Sequence, residues 1–126
     1  MEQITMLQQK EVVRLNARRL EELYSQLGEA GAEDVVCRAL EELAVRLSHT
    51  ERCHRDGRLT EMRKSARSLV AIADQIGMQA LSRVAADVTR ALDNDDLVAV
   101  AATLSRLLRI GDSSLTEVWE MQDLSI

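Results

Sequence analysis

Apolar residues recur three and four positions apart along almost the whole chain, and no stretch sustains the two-residue alternation of a half-buried strand. This periodicity predicts an all-α protein. Helices are expected over residues 3–27, 32–55, 59–76, 79–92 and 96–110. Val13, Ala17, Leu20, Tyr24 and Leu27 fall on one side of the first, and Val36, Leu40, Leu43 and Leu47 on one face of the second. Leu59, Met62, Ala66, Leu69, Ala73 and Ile76 share one arc of the third. Leu81, Val84, Ala85, Val88 and Leu92 align on the fourth, and Leu97, Val100, Ala101, Leu104 and Leu108 on the fifth.

Glycines and clustered Asn/Asp punctuate these segments. "GEAGAED" at 28–34 is expected to separate the first helix from the second, and "RDGR" at 55–58 to form a turn. Gly77 suits a helix C-terminus, because glycine takes the left-handed conformation cheaply. "DNDD" at 93–96 is a turn whose acids also suit the start of the next helix. Gly111 is expected to close the fifth helix, and Ser114 with Glu117 fits a capping box that opens a short terminal helix. Short connections between helices of similar length imply antiparallel neighbours. Residues 32–110 therefore read as an antiparallel up-down four-helix bundle, with an additional N-terminal helix on or across one end and a short C-terminal helix after it. With no repeat or linker to divide it, the chain 1–126 reads as one helical domain.

Composition narrows the chemistry. The 126 residues contain no proline and no phenylalanine, so the core must be built from Leu, Val, Ile, Ala and Met, which favours helices at close range. A chain of this size buries roughly two-thirds of its unfolded surface without help from metals or disulfides. A net charge of −5 and only two aromatics, Tyr24 and Trp119, argue against general nucleic-acid binding. No apolar run approaches the roughly 18 residues of a membrane span. "MEQITMLQQKE" lacks the order of a signal peptide, so a cytoplasmic location with Cys37 and Cys53 reduced is expected.

The charge is unevenly placed. Arg52, Arg55, Arg58, Arg63, Lys64 and Arg67 stand against only Asp56 and Glu61, a local excess of +4. The outward side of the helix expected over 59–76 carries Thr60, Lys64, Arg67 and Ala71, with Arg63 and Asp74 beside them. That side reads either as a solvated helix face or as a docking surface steered toward an acidic partner.

"ARSLVAIADQIGMQALSRVAADV" at 66–88 resembles the central segment of the histidine-containing phosphotransfer (Hpt) domain family, roughly A-H-x-L-K-G-x-x-x-x-L/I-G followed by an apolar-patterned helix. "RDGRLTEMRKSA" upstream resembles that family's turn into the histidine helix, and "LDNDDLVAVAATLSRLL" downstream its next turn and final helix, so the likeness covers about 32–110. Ala66, Leu69, Ile76 and Gly77 match the pattern. Arg67 stands where the family has its phosphorylated histidine, Val70 where it has lysine, and Ala71 where it has glycine. Arginine stays protonated and is not a nucleophile, so it does not replace the acceptor. His49 and His54 are the only histidines, and neither is followed by the L-K-G pattern. What the resemblance implies is an Hpt-like bundle in two-component signalling of the bacterial kind. Its face of Thr60, Arg63, Lys64, Arg67, Val70, Ala71 and Asp74 would dock a response-regulator receiver domain or a histidine kinase without phosphotransfer. Phosphotransfer through an unusual histidine is the lesser alternative.

Other chemistry is sparse. His49 and Cys53 are four apart and share a helix side, but a structural zinc site takes four ligands and no second Cys/His pair lies nearby, so no metal or cofactor is expected. Cys37, in "VVCRAL", reads as core, while Cys53 lies among Arg52, His54 and Arg55. No phosphate-binding glycine loop or nucleophile arrangement appears, and no catalytic residue is expected. Two segments suggest contacts. Ile4, Leu7, Val12, Val13 and Leu15 exceed one apolar stripe and suit pairing with a second copy. Leu115, Val118, Trp119 and Leu124 form a stripe, flanked by Met121, that either packs back on the bundle or anchors a partner. A structural helical homodimer with no role in a phosphorelay is the competing function.

Overall fold

The computed structural model describes the backbone of residues 17–124 and the side chains of residues 18–116. The described residues form four helices and no strand: α1 (Ala17–Arg55), α2 (Leu59–Gln75), α3 (Gln79–Asp93) and α4 (Leu97–Leu124). Each helix packs on the next and α1 returns to α4. The diagonal pairs make no close backbone approach, so the four close into a ring. None of these helices is long and apolar enough to cross a membrane.

The three connections repeat one turn. After α1, the Gly57 N–H donates to the His54 carbonyl at 3.2 Å and the Arg58 N–H to the Cys53 carbonyl at 2.9 Å. After α2, Gly77 donates to Asp74 at 3.2 Å and Met78 to Ala73 at 2.8 Å. After α3, Asp95 donates to Leu92 and Asp96 to Ala91, both at 3.1 Å. This paired pattern is the Schellman motif, which satisfies carbonyls that a helix end leaves free and requires one left-handed residue. Gly57 and Gly77 fill that place at φ 71° and 77°, and Asp95 fills it at φ 54°. The next residue already begins the following helix: the carbonyls of Arg58, Met78 and Asp96 accept from Met62, Ser82 and Val100. Asp96 also caps α4, its Oδ1 accepting from the Ala99 N–H at 3.1 Å, as the acids of "DNDD" lead one to expect. Asp95 is the one non-glycine at positive φ among the described residues. Asp95→Gly should therefore stabilise the protein by about 0.5–1 kcal/mol in urea unfolding, because a left-handed L-residue carries a steric cost that glycine lacks.

The core largely follows the expected stripes. Val36, Leu40, Leu43 and Leu47 of α1, Met62, Ala66, Leu69 and Ala73 of α2, and Leu81, Val84, Ala85 and Val88 of α3 are all buried, as is Ile76 in the turn. Leu59 departs from its stripe because it is the first residue of α2, at the bundle end beyond the core, and it is exposed. Cys37 is half-buried rather than core, whereas Cys53 is fully buried.

Both ends of the chain depart from expectation. Residues 28–34 do not form a loop. The break is confined to Gly28, at φ 75° and ψ 175°, and helix resumes at once through Gly31. In the first arm, residues 17–27, the buried residue is Leu23. Tyr24 and Leu27, expected inside, are exposed, and Leu20 is half-buried. Arg19 of this arm donates from Nε to the Gln75 carbonyl at 2.7 Å, so the arm lies beside the C-terminal end of α2. The expectations for Ile4, Leu7, Val12, Val13 and Leu15 lie outside the described residues, and those for Val118, Trp119, Met121 and Leu124 outside the described side chains.

Gly111 does not end α4, which continues as one helix to Leu124, and Ser114 is buried inside it rather than capping a new helix. The buried face of α4 is Val100, Leu104, Leu107, Gly111 and Ser114, so Leu97 and Ala101 face outward and Leu108 is half-buried. The glycine serves close packing. A Cβ built on Gly111 would lie 2.6 Å from Leu47 Cδ1 and 3.1 Å from Cδ2, so α4 approaches α1 over the missing side chain. Gly111→Val should lower stability by about 1–3 kcal/mol through overpacking. Shortening Leu47 to Ala in the same chain should recover part of that loss, a non-additivity read from a double-mutant cycle in urea.

Candidate functional site

The outer face of α2 is assembled by its own amphipathicity. With Met62, Ala66, Leu69 and Ala73 turned inward, Thr60, Lys64, Arg67, Ala71 and Asp74 are left exposed. Arg67 is the middle residue of this 17-residue helix. Ala71, one turn further on, leaves open ground beside it. Val70 is half-buried and packs against the core, so it belongs to the edge of this face.

Arg63 has a different role from its neighbours. It is half-buried and crosses to α3, donating from Nε to Asp93 Oδ1 at 2.5 Å and from Nη2 to Asp93 Oδ2 at 3.3 Å. Such a two-pronged pair fixes both side chains. It ties the first turns of α2 to the last turn of α3 at one end of the bundle. No ion pair holds Lys64 or Arg67 among the described residues. The hydrogen bond from Arg63 holds the Asp93 carboxyl below the usual carboxylate range, with the charges of Arg63 and then Arg67 adding to it. Asp93 reads as turn punctuation in the sequence, and a partner 30 residues away leaves no local signal.

Behind this face lies a buried polar link. Thr50 Oγ1 and Ser65 Oγ are 2.7 Å apart, and both reach the Arg46 carbonyl, at 2.7 Å and 3.3 Å. Ser65 donating to Thr50, and Thr50 to the carbonyl, satisfies both hydroxyls. The link joins α1 to α2 two residues before Arg67.

A second constellation sits at the α1–α2 turn. His49 Nε2 lies 3.5 Å from Cys53 Sγ. Glu61 of α2 brings a carboxylate to them, and the three ligand atoms all lie within 4.8 Å of one another. The sequence pairs His49 with Cys53, but Glu61 joins only once the turn folds its helix back. His54 is half-buried, on the same last turns of α1. Neither histidine is on α2, the helix that carries Arg67.

Comparison with protein-family models, with curated proteins and with solved structures gave no significant match.

The Arg63–Asp93 pair is open to titration. In carbon-detected NMR, Asp93 should titrate below ordinary aspartates; Arg63→Gln should raise it most of the way back, and Arg67→Gln should raise it less. A carboxyl depressed in the folded state contributes stability above its unfolded-state pKa and loses it as pH falls through the folded-state value. The stability gap between wild type and Arg63→Gln should accordingly narrow on acidification.

Proposed function

We propose that the chain is a non-catalytic, Hpt-like interaction module. It docks a response-regulator receiver or histidine kinase domain through the α2 face, without phosphotransfer. The observation that carries this reading is Arg67, exposed at the midpoint of the second helix of a four-helix ring, where the resembled family presents its phosphoacceptor. Lys64 lies one turn before it and the small Ala71 one turn after, which suits a flat contact with a carboxylate-lined pocket. A guanidinium pairs with such carboxylates in two-pronged fashion but takes no phosphoryl group. Arg63, engaged by Asp93, shapes the edge of the face rather than supplying a free charge. Thr60, Val70 and Asp74 complete the surface.

The test is calorimetric titration of the chain with purified receiver and kinase domains, with a phosphotransfer assay alongside. Binding is expected to weaken about tenfold or more for Arg67→Glu, because a like charge then faces the acidic pocket. No label is expected on histidine. Phosphohistidine on this chain, or no binding across the panel, overturns the proposal. The second reading, a structural homodimer, rests on apolar surface at the start of α4, where Leu97 is 62% and Val98 82% exposed. Light scattering that finds a stable dimer, with no receiver bound, favours it.

A further inference from the structure

We propose that His49, Cys53 and Glu61 form a binding site for a zinc-class divalent cation that bridges the end of α1 and the start of α2. The site is separate from the α2 docking face, and its donor chemistry and geometry mark it as a metal site.

A thiolate, an imidazole and a carboxylate together make a borderline-soft donor set of the kind zinc takes. His49 and Cys53 are one helical turn apart, so α1 stacks both ligands on one side. Their 3.5 Å separation suits chelation. A sulfur about 2.3 Å and a nitrogen about 2.0–2.1 Å from a tetrahedral zinc lie about 3.5 Å from each other. Glu61 is exposed and reaches the pair on a flexible side chain, so a small rotation closes the remaining edges from their upper limit of 4.8 Å. Arg58 Nη1 holds Glu61 Oε2 at 3.0 Å, and the other carboxylate oxygen remains for the ion. Three protein ligands leave one position for water, as in open zinc sites.

The turn positions the three donors. Relative to left-handed Gly57, the donors stand eight and four residues before and four after. The same places around left-handed Gly77 are Leu69, Ala73 and Leu81, all three buried in the core. Around Gly57 the same places are shallower: Cys53 is buried, His49 half-buried and Glu61 exposed, and around Asp95 they hold half-buried Asp87, buried Ala91 and half-buried Ala99. Of the three turns, the first is the one that carries three donor side chains at these places. Charge there is partly met already: Arg55 pairs with Glu51, and Arg58 with Asp56 as well as Glu61.

The test uses the full chain, freed of metal and kept reduced, titrated with cobalt(II) and then zinc(II). One equivalent of cobalt should give a thiolate-to-metal charge-transfer band with tetrahedral-type visible absorption, and zinc should displace it. Zinc should also raise the midpoint of thermal unfolding, and EDTA should reverse the rise. Cys53→Ser should abolish the band and Cys37→Ser keep it. Because Cys53 is buried and its variant risks misfolding, Glu61→Gln at the surface carries the decisive comparison. It should weaken cobalt binding while shifting thermal unfolding of the metal-free protein only slightly, since it removes one exposed ion pair with Arg58. No band in wild type, a band that survives Cys53→Ser, or binding unaffected by Glu61→Gln and His49→Gln overturns the proposal and leaves a thiol–imidazole hydrogen bond alone.

Discussion

The architecture depends on a three-residue reversal used three times. Each copy closes the outgoing helix with a pair of hydrogen bonds around one left-handed residue and gives its last residue to the next helix. The connections have no slack. Successive helices must run antiparallel and side by side, and the 17 and 15 residues of α2 and α3 set a bundle about 22–25 Å long. The reversal also decides what meets across it. Side chains four residues either side of the left-handed position are brought together, apolar ones at Gly77 and polar donors at Gly57.

Much of this was legible because it is local. A glycine or aspartate at positive φ, a cap such as Asp96, and an amphipathic helix such as α2 all leave their mark within a few neighbouring residues. The departures share a different origin. Glycine breaks a helix by its φ at position 28, yet at position 111 it serves by lacking a side chain, and the letter is the same in both places. Only the approach of Leu47 from another helix distinguishes them. Taking Gly111 as an end also misdirected the stripe of α4, whose true face continues through Ser114. Cys37 and Cys53 differ in burial because helical phase, not adjacent letters, decides what faces inward. Of the candidate sites, the α2 face could be drawn from the sequence alone. The pairing of Arg63 with Asp93 and the arrival of Glu61 beside Cys53 could not, since both cross between helices.

The inner side of α2 presents alanines at 66 and 73, a smooth surface that by itself discriminates poorly between neighbouring registers. The Thr50–Ser65 pair removes that freedom. A shift or rotation of α2 would bury the Ser65 hydroxyl without a partner, at about 1–3 kcal/mol, while Thr50 keeps its bond to the Arg46 carbonyl of its own helix. The polar pair thereby adds to the buried Met62 and Leu69 in setting the azimuth of the helix, and with it the direction in which Arg67 points.

The ion pairs change what the basic segment means for a molecule approaching from a distance. Of its six cations, Arg55, Arg58 and Arg63 are already matched by carboxylates in the fold. The formal excess is therefore largely spent within a few ångströms, and the screening length is about 10 Å at 0.1 M salt. Arg52 on α1 and Lys64 and Arg67 on α2 remain, so an incoming acidic surface would meet separate point charges rather than a broad positive field. Encounter of such a surface with this face would then vary only weakly with ionic strength, and any selectivity would rest on contact geometry formed after arrival.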